Sequence, residues 1–306
     1  TPGHAFAMDT MSDGARALPP QAQVMIVLGF LVGFGVKMPI FPIHGWLPLA
    51  HVEAPSPISI LLSGILLKMG SYGLIRAASM LPDAVVALQP LLAGLAFFSL
   101  IYGGLLAWRQ TDLKAMIAYS SVSHMGIVLL GIAALNIAGL TGALMQMVAH
   151  GLVAGSLFLL IGLLYERTHT RDVNDYSSLV QVTPRFAFFT SLALLAGMAI
   201  PGTAGFIAEL HAIVGGFEAW GWTILLISIG MMVTAAYSVR TIGRLFTGPV
   251  HNRMRDVQDL GPLELTAAGV LASAIILLGI APWPALQLMA SSVSQLGAVF
   301  AAVQGG

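Results

Sequence analysis

The sequence predicts an all-α polytopic membrane protein of about eight transmembrane helices, two of them interrupted, and three observations carry that expectation. Hydrophobic residues make up 57% of the 306 and charged residues 8%, against roughly a quarter charged in a soluble domain; the mean hydropathy is +0.89. The apolar runs are about 20 to 28 residues long, the length of membrane helices and not of barrel strands. Two of the runs contain a proline break.

In order, residues 1–20 are polar and Pro-rich, without the basic start and short apolar core of a signal peptide, and read as an extramembrane segment. The transmembrane domain follows over 21–284. Its first span, 21–48, is interrupted after Lys37 by Met38-Pro39, which ends a helix. The second, 57–78, has Lys68 about midway, roughly 16 Å of helical rise from either end. The third, 84–107, has no ionisable residue and is the internal control for an ordinary span. The fourth, 112–135, carries Lys114 near its mouth and His124 near its middle, and the fifth, 138–165, centres on His150, with Gln146 one turn away on the same face. The sixth, 184–212, breaks at Pro201-Gly202 and carries Glu209 and His211 beyond the break. The seventh, 219–243, has only Arg240 and Arg244, and the eighth, 262–281, ends at Pro282-Trp283-Pro284. Residues 285–306 form a weakly amphipathic tail, interfacial or disordered.

Basic residues collect in alternate connections: Arg109 and Lys114, then Arg167, Arg171 and Arg185, then Arg244, Arg253 and Arg255. The connections near Asn136 and Glu218 have none, and only Arg16 and Arg76 fall on the poorer side. This asymmetry places the basic loops in the cytoplasm and both termini outside, in an integral protein of the bacterial inner membrane. A net charge of zero leaves no basic face for nucleic acid. The absence of cysteine excludes cysteine-ligated iron–sulfur clusters, thiolate metal sites and disulfides within the chain. The spacing of Gly29, Gly33 and Gly35 is wrong for a dinucleotide loop.

The ionisable residues inside the spans are the functional signal. A lysine stem reaches about 6 Å, too short to bring Lys68 from mid-span to a headgroup, and a buried ammonium costs at least about 2.5 kcal/mol. Lys37, Lys68, His124, His150 and Glu209 form a row of titratable groups at similar depth, with Lys114 and His211 secondary. Two ammonium groups about 7 Å apart repel by about 2.4 kcal/mol at an effective dielectric of about 20, so protonating one expels a proton from the other. With waters between the groups, such coupling is a proton relay. Plainer readings compete: a structurally paired Lys68, a helix-end Lys37 at the interface, hydrogen-bonded core histidines at 124 and 150. His44, His51 and Glu53 read as a solvated loop. The two interrupted spans share a shape, an apolar run, a proline break and a half-helix with an ionisable group nearby, which points to inverted repeats around a midplane ion site.

The motifs VKMP, HGWLP-x-AH-x-EAP, LLKMGSYGLIR, DLKAMIAYSSVSHMG, MVAHG and PGTAGF-x-AE, spread from about Val36 to Phe246, resemble the antiporter-like membrane subunits of respiratory complex I, of the kind called subunit 4 in mitochondria, with its bacterial and photosynthetic counterparts. The resemblance implies two inverted five-helix repeats with broken helices, the second over about 84–246, and a hydrophilic axis through which protons cross. By motif, Lys37 is similar to the lysine at the broken helix, Lys68 to the one on the next helix, His124 and His150 to the bridging histidines, and Glu209 to the acidic residue of the exit half; Lys114 gains less. Such subunits have about fourteen helices, and this chain begins just before the seventh. The first repeat is therefore expected to be incomplete, with a membrane glutamate supplied by another polypeptide or by the rest of a longer chain. Where the family reads LPDAH this chain has LPLAH, with Leu49 in place of the aspartate, a form that hydrogenase subunits of the superfamily can show.

The expected function is that of a non-redox, proton-translocating subunit of an NADH:quinone oxidoreductase, with no cofactor in this chain. Flavin, iron–sulfur clusters and quinone belong to partner subunits, and the partners are other membrane subunits and the lipid bilayer. Alternatives are a subunit of a multi-subunit Na+/H+ antiporter or of a membrane-bound hydrogenase, a haem cytochrome with His124 and His150 as axial ligands, and a purely structural anchor.

Overall fold

The computed structural model describes residues 8–304. The start of the segment 1–20 and the end of 285–306 lie outside the described residues. Helix α1 (Met8–Arg16) lies against the end of α5, where Arg16 donates to the carbonyls of Ser79 and Met80, both at 3.0 Å. The first interrupted span is α2 (Pro20–Lys37), an irregular turn, and α3 (Trp46–Glu53). The next is a 25-residue helix, Ser56–Met80, assembled from α4 (Ser56–Leu61), a π-helical turn (Leu62–Leu66) and α5 (Leu67–Met80). A short α6 (Pro82–Ala87) leads to α7 (Gln89–Arg109), α8 (Leu113–Ala133) and α9 (Ile137–Thr168). After α10 (Leu179–Val182) come the two halves of the second interrupted span, α11 (Pro184–Gly197) and α12 (Ala204–Trp220), then α13 (Ile227–Phe246), α14 (Pro262–Ile280) and α15 (Trp283–Gln304).

Among the described residues, eight helical stretches are long and apolar enough to cross a membrane, with α12 and α13 taken as one 43-residue stretch and α15 included. The all-α polytopic fold with two interrupted helices is as the sequence predicts, with two differences of extent. The half-helix after the second break runs on to Trp220, because no proline intervenes before Gly221, whose φ is +59°. The segment expected as a tail is α15, a 22-residue helix with Val293, Gly297 and Phe300 buried. Pro282 and Pro284 end α14 and also open α15, since proline fits the first turn of a helix as well as it stops one.

At both breaks, backbone groups freed from the helix find partners within the protein, as a membrane favours. In the first, the amides of Met38 and Ile40 donate to Phe34 O (2.7 Å) and Gly35 O (3.1 Å), and Trp46 Nε1 donates to Val36 O at 2.8 Å. Phe41 N reaches Ser99 Oγ on α7 at 2.9 Å. In the second, Thr203 N and Oγ1 both donate to Ile200 O, at 3.1 and 2.7 Å.

Helix α8 is the axis of the bundle: of its 21 residues only Tyr119 is not buried. It packs between α7 and α9, with α3 and α12 also against it. The apolar core divides along this axis. One cluster takes Val122, Met125 and Val128 of α8 with Leu140 and Ala143 of α9; the other takes Leu113, Met116 and Ile117 with Leu157, Phe158 and Ile161. Ser120, Ser121, His124, Gln146 and His150 are buried at the junction.

Helices α9 and α12 meet almost backbone to backbone. A Cβ on Gly215 would lie 2.2 Å from Gly139 N, while Asn136 caps α9 through Gly139 N (2.8 Å) and donates to Gly215 O (2.8 Å). Gly215→Ala is therefore expected to cost about 1–3 kcal/mol through overpacking and to lower the thermal unfolding midpoint in detergent. Gly94→Ala on α7, with nothing within 4 Å of the new methyl, leaves that midpoint unchanged or raises it.

Candidate functional site

At the junction of the two apolar clusters, four ionisable side chains from four helices line up. Lys68 of α5 is 9% exposed and its Nζ lies 2.6 Å from His150 Nδ1 of α9. The ammonium also donates to the carbonyl of Ser63, five residues back within the π-helical turn. Such turns are rare, and inside a helix they often mark functional positions. His150 and His124 of α8 face one another with ring centroids 5.5 Å apart and planes inclined by 55°. His124 Nδ1 lies 3.7 Å from Glu209 Oε1 of α12, and Glu209 is 5% exposed. The order across the bundle is Lys68, His150, His124, Glu209.

The lysine donates to Nδ1 of His150, so a neutral His150 ring carries its hydrogen on Nε2, a buried atom with no protein partner among the described residues. Gln146 Nε2 lies 3.3 Å from His124 Nδ1, and its Oε1 is buried without a partner among the described residues. Rotating that amide by half a turn would present Oε1 to the same nitrogen, so Gln146 can serve His124 as either donor or acceptor. Two small cavities touch both histidines. One, of about 20 Å³, also reaches Ser120, Tyr237 and Ser238; the other, of about 10 Å³, reaches Gln146, Glu209 and the Gly197 and Gly205 ends of the α11–α12 break. Each has room for about one water. Neither can take a porphyrin, so the facing histidines do not form a haem site. Among the described residues, no group of three or more His, Cys, Asp or Glu side chains is placed to hold a metal ion.

The other expected residues lie apart from this row. Lys37, the last residue of α2, is half-buried, and among the described residues no hydrogen bond or ion pair joins its side chain to His150, His124 or Glu209. Its backbone packs on α5, where a Cβ on Gly70 would lie 3.1 Å from Lys37 C. Lys114 is buried at the basic end of α8 and donates to Ala54 O at 2.9 Å. Arg171 beside it pairs with Asp112 (Nε–Oδ2 3.1 Å) and donates to Val52 O at 2.8 Å. His211 bonds Ile207 O of its own helix at 2.8 Å and lines a cleft with Asn136 and Glu218, away from His124. Leu49 is 71% exposed on α3, so the departure from LPDAH leaves the row untouched.

His44 and His51 are not in a solvated loop. Both are buried: His51 because residues 46–53 form a half-helix that tucks against α8, and His44, in the turn before it, because its ring packs against Phe41, Tyr102 and Tyr119. Tyr237, which lines the larger of the two cavities, is not singled out by the sequence, since the strongest polar signal in its span is two arginines. The polar Tyr237-Ser238 pair within that apolar run is the signal that could have found it.

A polytopic helical membrane protein with two broken helices and a buried row of Lys, His, His and Glu is the class that fold and site define. The family described as NADH:quinone oxidoreductase/Mrp antiporter, TM, matches residues 7–234, and the chain belongs to that family. It is 43% identical over 296 residues to NAD(P)H-quinone oxidoreductase chain 4 2 of Thermosynechococcus vestitus, covering 93% of this chain and 55% of that protein. Among solved structures, it is similar to a chain of respiratory complex I from Thermus thermophilus with bound NADH: TM-score 0.89, 32% identity, 99% of this chain and 63% of that one. A chain of the Mrp complex from Dietzia sp. has the same fold at 19% identity, with TM-score 0.82 over 92% of this chain and 60% of that one. The chain spans about half the length of the curated relatives it matches.

If Lys68 depends on His150 for its burial, His150→Ala leaves the ammonium with only the Ser63 carbonyl and costs about 1–3 kcal/mol. Lys68→Leu, which removes the charge along with the need for a partner, should cost less or stabilise. Thermal unfolding of the two variants in detergent should show that order; the reverse order would remove the pair as a structural unit.

Proposed function

We propose that this chain is the proton-translocating part of an antiporter-like membrane subunit of an NAD(P)H–quinone oxidoreductase. The observation that carries the reading is the buried sequence Lys68–His150–His124–Glu209, in which Lys68 and His150 are in hydrogen-bond contact and His124 lies 3.7 Å from Glu209. A proton on Lys68 passes to His150 Nδ1; His150 releases one from Nε2 to a water in the adjoining cavity; the water passes one to His124, and His124 passes one to Glu209. Lys68 takes a proton from water on its side and Glu209 gives one up to water on the other, so one proton enters, one leaves, and each group returns to its starting state after tautomer exchange. General acid–base groups of this kind work best when neighbouring charges hold them near the working range.

In this reading α7–α13, about residues 84–246, are one repeat: three intact helices, a broken one and a closing one. Lys37, half-buried at the first break, belongs in this reading to the first repeat. Neighbouring membrane subunits complete the pump, and electron transfer through flavin, iron–sulfur clusters and quinone takes place in partner subunits. Alternate basic connections support a bacterial inner membrane location with the basic ends of α7, α9 and α13 in the cytoplasm and the N-terminus outside.

The test uses the native complex in sealed vesicles, with proton uptake followed by a pH-sensitive dye on adding NADH. Lys68→Ala and Glu209→Ala are each expected to lower uptake at least about tenfold while the complex still assembles and inserts. Normal uptake by a correctly assembled Lys68→Ala complex overturns the relay. Uptake driven by a sodium gradient without electron donor would assign the same relay to an antiporter instead.

A further inference from the structure

Tyr237 of α13 is buried, and it stands between two cavities. On its inner side is the cavity of about 20 Å³ that touches His124 and His150. On its outer side is a cavity of about 10 Å³, with room for about one water, that ends among Trp108, Thr111, Asp112, Arg240 and Arg244 at the basic ends of α7 and α13. Trp108, Thr111 and Arg244 are exposed, so this second cavity is a mouth on that side of the protein. Tyr237 and Met116 of α8 are the two side chains that line both cavities. One layer of side chain therefore separates the histidines from the basic-side surface.

That layer is pinned in place. The side chains of Thr234, one turn before Tyr237, and of Ser120 on α8 hydrogen-bond the phenol hydroxyl. Both give their own hydrogens to helix carbonyls, Thr234 to Gly230 O at 3.1 Å and Ser120 to Ile117 O at 2.7 Å. The phenol hydrogen is therefore donated to one of their oxygens. Thr241 Oγ1, one turn further along α13, donates to Tyr237 O at 2.8 Å and lies 3.1 Å from Met116 Sδ, so it touches both residues of the layer. Swinging the ring aside breaks the hydroxyl bonds on α8 and α13 together. What these contacts keep apart is the middle of the row and water on the basic side.

We infer that the Tyr237 ring, with Met116 beside it, is the seal of the relay: it closes a side entrance between α7, α8 and α13, so that protons from the basic side reach the histidines only by way of Lys68. The tyrosine carries no proton in this role; it is a positioned wall. Without the ring, the two cavities join into one water path from the mouth at Arg240 and Arg244 to His124 and His150. A proton returning along the row from Glu209 would then escape to the basic side, and a gradient built by the pump would run down through its own relay. The inference rests on the relay reading above.

The test follows the decay of an imposed pH gradient, with a pH-sensitive dye, in sealed vesicles of the native complex without electron donor. Tyr237→Ala is expected to speed the decay at least about tenfold, the equivalent of about 1.4 kcal/mol off the barrier. Tyr237→Phe, which keeps the ring, leaves the vesicles tight. Adding Glu209→Ala to Tyr237→Ala restores tightness, because the leak runs through the row. Tight vesicles with an assembled Tyr237→Ala complex, while Lys68→Ala abolishes NADH-driven uptake, overturn the seal and leave the relay standing. A leak that survives Glu209→Ala, or one as large in Tyr237→Phe, also overturns the seal. Normal uptake by Lys68→Ala overturns the relay and the seal with it. Should Tyr237→Ala not assemble, access to either side of the ring decides. The chain has no cysteine, so Thr241→Cys on the mouth side and Ser238→Cys on the row side report through labelling of this chain by a water-soluble methanethiosulfonate added on the basic side. Labelling of Thr241→Cys with protection of Ser238→Cys supports the seal; labelling of both, or of neither, overturns it.

Discussion

The burial of one ammonium governs the middle of this protein. Lys68 lies in an apolar helix beyond the reach of either headgroup layer, so the bundle must provide its partners. Two devices do so. A π-helical turn places the Ser63 carbonyl five residues behind the lysine, within reach of its own side chain. Close approach of α9 brings His150 Nδ1 to 2.6 Å. That approach depends on small residues, since a Cβ on Gly151 would lie 3.0 Å from Gly64 O. A larger residue at Gly151 would push α9 away and leave the charge half-satisfied, a worse outcome than having no charge at all.

The two breaks follow from the same constraint. A continuous helix satisfies its own backbone and has no room for a polar layer; an interrupted one exposes amides and carbonyls that must find partners in the protein. Here those partners are local, within α2 and its turn and within the α11–α12 turn, with Ser99 reaching in from α7. The cavity beside Glu209 opens at the Gly197 and Gly205 ends of the second break. Helix α8, buried on every side, can then contribute Lys114, Ser120, Ser121 and His124 to one polar seam without exposing any of them to lipid.

Much of this seam is legible in the sequence, and the reason is local. Lys68, His124, His150 and Glu209 each stand in an apolar run long enough to fix their depth, and depth alone marks them as costly. Lys37 carries the same signal but sits at a helix end, where a turn of the backbone decides whether the side chain points inward; the structure leaves it half-buried and outside the row. His51 is illegible for the opposite reason. Its neighbours Pro48, Glu53 and Pro55 look like loop, and only the packing of the half-helix 46–53 against α8 puts the ring in the core. Tyr237 enters the cavity through a contact between helices far apart in sequence, which no periodicity reveals. The proline pair at 282 and 284 is ambiguous by nature, since it can close one helix and open the next, and it hides α15.

The row is also asymmetric in a way that bears on direction. An ammonium stands at one end and a carboxylate at the other, with two imidazoles between. A proton placed on the histidines is repelled from the Lys68 side and attracted by Glu209 at 3.7 Å, a pull on the order of 4 kcal/mol at an effective dielectric of about 20. If every neighbour were in hydrogen-bond contact, such a gradient would conduct without control. Only Lys68 and His150 are in hydrogen-bond contact; the two rings have centroids 5.5 Å apart, His124 lies 3.7 Å from Glu209, and the adjoining cavities have room for about one water each. On the proposed relay, a water in those cavities is the bridge, and the α8–α9 contact and the Gln146 amide are where it is made or broken.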